Sequence, residues 1–168
     1  MRTVSGMTIR WGLAAALVLL ASACATTLAP NYDKALVDGL TATNMKLMEH
    51  FAATSAGTAS DTFDKRESTY NNLIGRLDAL VIQARARPIP KNYVTEKVNA
   101  YLEKRGVQIL DGGDTPSATA LEKISGTMVK MRDTDKKQGV TPFEVAAFKG
   151  QVVIFMDQAL TYETFLER

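Results

Sequence analysis

From position 63 to position 84 the chain keeps one spacing. Phe63, Tyr70, Leu77 and Ala84 stand seven apart, and Arg66, Leu73 and Leu80 interleave them at threes and fours. A helix turning every 3.6 residues gathers all of them on one side, as a seam that another helix has to cover. A strand would split them between its two faces, because its side chains alternate. The pattern therefore predicts a long helix from about Asp61 to Arg87, with Ser60 or Asp61 as its cap, inside an antiparallel all-α bundle. Pro88 and Pro90 close it, since proline lacks the N–H a helix needs and the residue before it avoids helical angles. Arg66 is the odd member, a charge on an apolar seam. It can pair with a carboxylate across the bundle, or the helix can rotate locally so that its head reaches water; the second outcome is the expectation.

The same cadence recurs elsewhere. Tyr32, Leu36, Leu40, Leu47 and Phe51 mark a helix from about Tyr32 to Ala53, followed by the small-residue loop Ser55-Ala-Gly-Thr-Ala-Ser60. A shorter stretch, about Tyr93 to Arg105, carries Val94, Val98, Tyr101 and Leu102 and closes at Gly106; Val107-Gln-Ile-Leu110 after it is expected to plug one end of the core. Leu121, Ile124, Met128 and Met131 align on a helix from about Pro116 to Gln138, capped by Thr115 and stopped by Gly139. The last helix has the most complete start signal. Thr141 is the cap, Pro142 the first residue and Glu144 the third, a capping box, and Val140 with Val145 makes a hydrophobic staple. It continues to about Leu166 on the stripe Phe148, Val152, Phe155, Ala159, Tyr162, Leu166. Residues 32–168 are thus expected to form one domain, four long helices plus one short one.

The first 24 residues follow another logic. Arg2 and Arg10 supply positive charge, and Trp11 to Ala23 is an uncharged, mostly apolar run. As a helix it spans about 20 Å, short of the roughly 30 Å of bilayer hydrocarbon, which makes it a secretory signal rather than a comfortable anchor. Ala21-Ser22-Ala23 fits ordinary signal cleavage, and retention of the run uncut is a further alternative. Leu20-Ala21-Ser22-Ala23-Cys24 resembles the lipobox of bacterial lipoproteins, with Ala21 where leucine is usual. Cys24 is the only cysteine, so no internal disulfide can form, and exported chains seldom keep a bare thiol. The resemblance covers residues 1–24 alone. It implies that residues 1–23 are a signal peptide, that the Cys24 sulfur takes a diacylglyceryl group, and that the new amino terminus is acylated, an effectively permanent attachment. In Gram-negative lipoproteins aspartate after the cysteine retains the chain in the inner membrane; Ala25 implies the outer membrane instead, facing the periplasm. Residues 24–31 are then a lipidated end and tether, with the stretch after the cysteine reaching about 25 Å at most, so the bundle sits near the bilayer.

Charge narrows the partners. The chain has 20 Lys and Arg against 18 Asp and Glu, and with Arg2 and Arg10 in the signal the mature part is formally neutral. Nucleic acid, which selects a net basic face, is not expected. His50 is the only histidine, and in the last turn of its helix the dipole favours a positive ring. No G-x-S-x-G accompanies it, and Glu49 is adjacent to it rather than three residues away, so no di-iron Glu-x-x-His pair exists. Asp61, Asp64 and Glu67 occupy helix-opening turns where negative charge is favoured, a simpler reading than a glycosidase pair. Asp111-Gly-Gly-Asp114 and Asp133-Thr-Asp135 lack a calcium loop's late glutamate and read as turns and solvated helix ends. Arg85, Arg87, Lys91, Lys97, Lys104 and Arg105, set against Glu96 and Glu103, read as a solvated face. Met45 with Met48 and Met128 with Met131 form two M-x-x-M pairs; thioethers suit Cu(I), but methionine also fills bundle cores. The expected function is a membrane-anchored, non-enzymatic interaction module without a cofactor, held by lipid on Cys24 and meeting another envelope protein. The alternative is a carrier of a ligand or Cu(I) on the four methionines.

Overall fold

The computed structural model describes residues 30–88 and 114–167, and in them the three-and-four cadence is met by helices. α1 spans Lys34–Ala53, α2 Asp64–Arg85, α3 Pro116–Gln138 and α4 Pro142–Phe165, with a 3-10 turn at Ser60–Thr62 before α2. α1 packs on α2 and α4, and α3 packs on the same two, so the helices stand at the corners of a square with α1 diagonal to α3. Neighbours run antiparallel. Gln83 near the end of α2 donates to Asp33 at the head of α1 (3.0 Å), and Ser125 of α3 donates to Asp78 of α2 (2.6 Å). The expected antiparallel bundle of four long helices is therefore present; the expected short helix at 93–105 and the piece at 107–110 lie outside the described residues.

The helix ends follow their local chemistry. Asp33 caps α1 by accepting from the Leu36 N–H (3.1 Å), Thr115 caps α3 ahead of Pro116, and α4 carries the full reciprocal box of Thr141 and Glu144. α2 departs from expectation. It begins at Asp64, and its cap position, Phe63, makes no side-chain bond; Ser60 and Asp61 belong instead to the 3-10 turn. The chain enters α2 already tightly wound, so no side-chain acceptor is needed to start it.

Every predicted apolar member of the α2 seam is buried, as are Leu121, Ile124, Met128 and Met131 on α3. α1 contributes Leu36, Leu40, Leu47 and Phe51, with Thr43 and His50 completing its inward face. Each fully buried leucine contributes roughly 2 kcal/mol. On α4 the buried line is Val145, Val152, Met156, Ala159 and Glu163, whereas the expected Phe148 and Phe155 are only half-buried. This helix is apolar on most of its circumference, so spacing alone could not select its inner face. An ion pair at Glu163 does.

At one end of the bundle the two short turns are joined. The Thr58 N–H donates to the Val140 carbonyl (2.8 Å), and the Val140 N–H donates back to the Thr58 hydroxyl (3.0 Å). Gly139 makes this possible. Its φ is +80°, and a Cβ there would lie 2.3 Å from the Thr58 carbonyl oxygen.

Candidate functional site

Two buried arginine–carboxylate clamps mark the ends of α2. At the turn end, Asp135 is 0 % exposed and accepts four hydrogen bonds: Arg66 Nε (2.8 Å) and Nη2 (2.8 Å), the Thr58 hydroxyl (2.6 Å) and the Tyr70 hydroxyl (3.1 Å). Arg66 spends its remaining N–H groups on the Ala59 carbonyl and on the carbonyl and hydroxyl of Thr62. A carboxylate has about four acceptor sites and a guanidinium five donors, so both groups are saturated. Burial pushes the Asp135 carboxyl upward, but the Arg66 and Thr58 hydrogen bonds, with the Arg66 charge and Tyr70, outweigh it and hold the group below its ordinary range.

The expected outward turn of Arg66 is thus wrong. Its side chain is 17 % exposed and pairs across the bundle, because Asp135 occupies the facing seam position and two hydroxyls share the carboxylate. Asp135 in turn is no solvated helix end, and its oxygens have no acceptor site left for a cation. At the opposite end Arg87 grips Glu163 through both terminal nitrogens and also donates to the Ser117 hydroxyl. Arg87 is therefore not part of a solvated basic face. Arg85 is more open, bridging Asp114 (2.6 Å) and Glu122 (3.1 Å). The other basic residues of that expected face, like Cys24 and Asp111, lie outside the described residues.

His50 also departs from its expected role. It is 5 % exposed and stands edge-on to the Tyr70 ring at 4.5 Å. Burial lowers its pKa; Asp135 pulls it up and Arg66 pushes it down, and the net direction is downward. A neutral imidazole gains little from a helix dipole, so it is packing that holds His50 here. Its Nε2 is buried and has no hydrogen-bond partner among the described residues.

Beside His50 runs an open groove of about 770 Å³ between the second half of α1 and the first half of α2. α1 lends it Lys46, Glu49 and His50, and Thr54 at its C-cap closes that side. From α2 come Lys65, Ser68, Thr69, Asn72, Leu73 and Arg76. The methionines, in contrast, are not gathered. Met128 and Met131 are fully buried in the core on α3, Met45 is exposed on α1, and the two helices sit on a diagonal. Of the three carboxylates read at the head of α2, Asp61 is exposed in the 3-10 turn and Glu67 lies 3.6 Å from Lys136. Compared with known protein families, curated proteins and solved structures, the chain matches none.

Glu163, Thr58 and the buried Tyr70 hydroxyl were not singled out by sequence reasoning, and Asp135 was read only as a solvated helix end, although a signal existed. Asp135 falls four residues after Met131, and Glu163 four after Ala159, each continuing a buried line with a charge. A carboxylate on one apolar seam and an arginine on another is the pattern of a cross-bundle pair.

Proposed function

We propose that this chain is a lipoprotein of the cell envelope, cut before Cys24, acylated there and carried to the outer membrane. On that reading its bundle faces the periplasm and serves as a non-enzymatic interaction module for another envelope protein. The anchor rests on the lipobox-like residues 20–24 and the lone cysteine. Among the described residues no helix is long and apolar enough to cross a membrane.

The observation that carries the interaction role is the outer face of α4. Phe143 is 82 % and Ile154 59 % exposed, with Val153 beside them and Ala147 and Gly150 between, all on the solvent side. Residues 143, 147, 150 and 154 follow the helical cadence of four, three and four, so they form one stripe. A contiguous apolar stripe on an otherwise neutral domain suits an apolar surface of a second protein. Photo-crosslinking residues placed at Phe143 and Ile154 in cells making the lipidated chain are expected to capture the same envelope protein, and one placed at Lys130 on α3 is not. Capture of nothing, or of the same species from Lys130, refutes the interaction role. Cys24→Ser is expected to move the chain from the membrane pellet to the soluble or unprocessed pool; an unchanged pellet refutes the anchor.

A further inference from the structure

We infer that the outer stripe of α4 docks against the same stripe of a second copy of this chain, antiparallel to it, about a two-fold axis beside Val152. This rests on the reading of that face as an interaction surface and names its occupant. Order along the stripe is the first ground. After Phe143 its first half holds Ala146, Ala147 and Gly150, and its second half Ile154, Gln158 and Thr161, all exposed on a helix at a corner of the square. Small residues occupy one half and bulky ones the other, so two stripes are self-complementary when they run antiparallel. The two-fold then sets Ile154 over Gly150 of the second copy and Phe143 over Thr161. A parallel pair would set Ile154 on Ile154 and Gly150 on Gly150, holding the backbones apart over an empty gap.

Gly150 is the second ground. A glycine inside a helix costs stability relative to alanine, and a Cβ placed here would meet nothing within 4 Å, so the chain's own packing calls for no glycine. Gly75 and Gly126 are as open, but the residues three and four away from them are mostly charged or amide-bearing. Around Gly150 those residues are Ala146, Ala147, Val153 and Ile154. An apolar patch with a side chain missing at its centre is a hole for a knob from another molecule.

Charge is the third ground. Lys149 and Asp157 are exposed, and neither has an ion pair among the described residues. In the same register Lys149 of one copy and Asp157 of the other share a flank, about 3 Å apart along the helix axis, within reach of a lysine stem. The stripe is about 27 Å long. One helix face of that length covers less than the roughly 800 Å² per partner of a standard interface. The pair is therefore weak in dilute solution and forms where lipid confines many copies to one leaflet, at high effective concentration. With the two-fold normal to that leaflet both bundles lie along it, and a tether of about 25 Å reaches it from each.

The test uses the purified lipidated chain with a diazirine side chain at Ile154, placed in phosphatidylcholine vesicles and irradiated. A product of twice the chain mass is expected, its crosslinked peptide containing Gly150 of a second copy; the same group at Lys130 on α3 is expected to give none. Gly150→Leu fills the hole and is expected to lower the yield about tenfold. Its melting temperature is expected to stay or rise, because leucine favours the helix and the space is open. Lys149→Asp and Asp157→Lys are each expected to lower the yield, and the two combined to restore it. No dimeric product, an equal yield from Lys130, or a yield that survives Gly150→Leu overturns the inference. A crosslink only to lipid, or only to residues 89–113 of the same chain, overturns it as well. In cells, capture of a different protein from Ile154 in place of a second copy overturns it while leaving the interaction role standing; capture of nothing refutes both.

Discussion

Asp135→Ala removes the acceptor of four hydrogen bonds at once. Taking one partner from a buried ion pair costs about 3–5 kcal/mol, most of it the penalty of the charge left behind. Arg66 retains its bonds to Ala59 and Thr62 and a 17 % exposed edge, which places its share at the lower end. Tyr70 is fully buried, and its stranded hydroxyl adds on the order of 1 kcal/mol. The expected loss is about 4 kcal/mol, a large part of the 5–15 kcal/mol typical of a domain, with a fall in melting temperature on the order of 10–15 °C. Urea unfolding followed by circular dichroism at pH 7 measures it. Arg66→Met with Asp135→Leu removes both charges and is expected to recover at least half of the loss. A cost for Asp135→Ala below about 1 kcal/mol, the level of an exposed pair, would mean that the hub is wet and the reasoning wrong.

Acid should act through two groups in separate windows. Burial first of all keeps His50 neutral with a lowered folded pKa, so the unfolded chain takes up its proton first, and stability held above about pH 6.5 declines as pH falls toward that folded value. Asp135, lowered by its donors, contributes stability above about pH 3.9 that is lost as pH falls below it. His50→Leu is expected to flatten only the upper window in urea midpoints taken between pH 7 and 4.5; an unchanged slope refutes the assignment. Gly139→Ala forces a side chain onto the Thr58 carbonyl at a φ of +80°, and a loss of about 3 kcal/mol by urea unfolding is expected. Thr141→Ala breaks the capping box of α4 and is expected to cost about 1 kcal/mol in the same assay, with the helical content unchanged.

The parts of the fold legible in the chain were those where apolar and polar residues alternate cleanly. The α2 seam could be read residue by residue because its outer positions are mostly polar or small, with Ile82 the exception, leaving one consistent inner face. α4 resisted the same reading. With valine, isoleucine and phenylalanine on several sides, spacing admits more than one inner face, and the choice made by Arg87 and Glu163 is a contact between residues far apart in the chain. Asp135 escaped for a related reason. A charge in the last turn of a helix normally marks exposure, and only the three-dimensional meeting of Arg66, Thr58 and Tyr70 turns it inward. The groove had no local signature, because it is a space between helices whose lining residues are ordinary on each helix alone.

Thr58 and Asp135 lie 77 positions apart, and the same threonine clasps Val140. One small side chain thereby stitches the hairpin of α1 and α2 to the hairpin of α3 and α4. Loops ordinarily loosen before helices do, but opening this stretch breaks bonds that join both halves. The Thr58 and Val140 amides are accordingly expected to exchange more slowly than those of an ordinary surface turn.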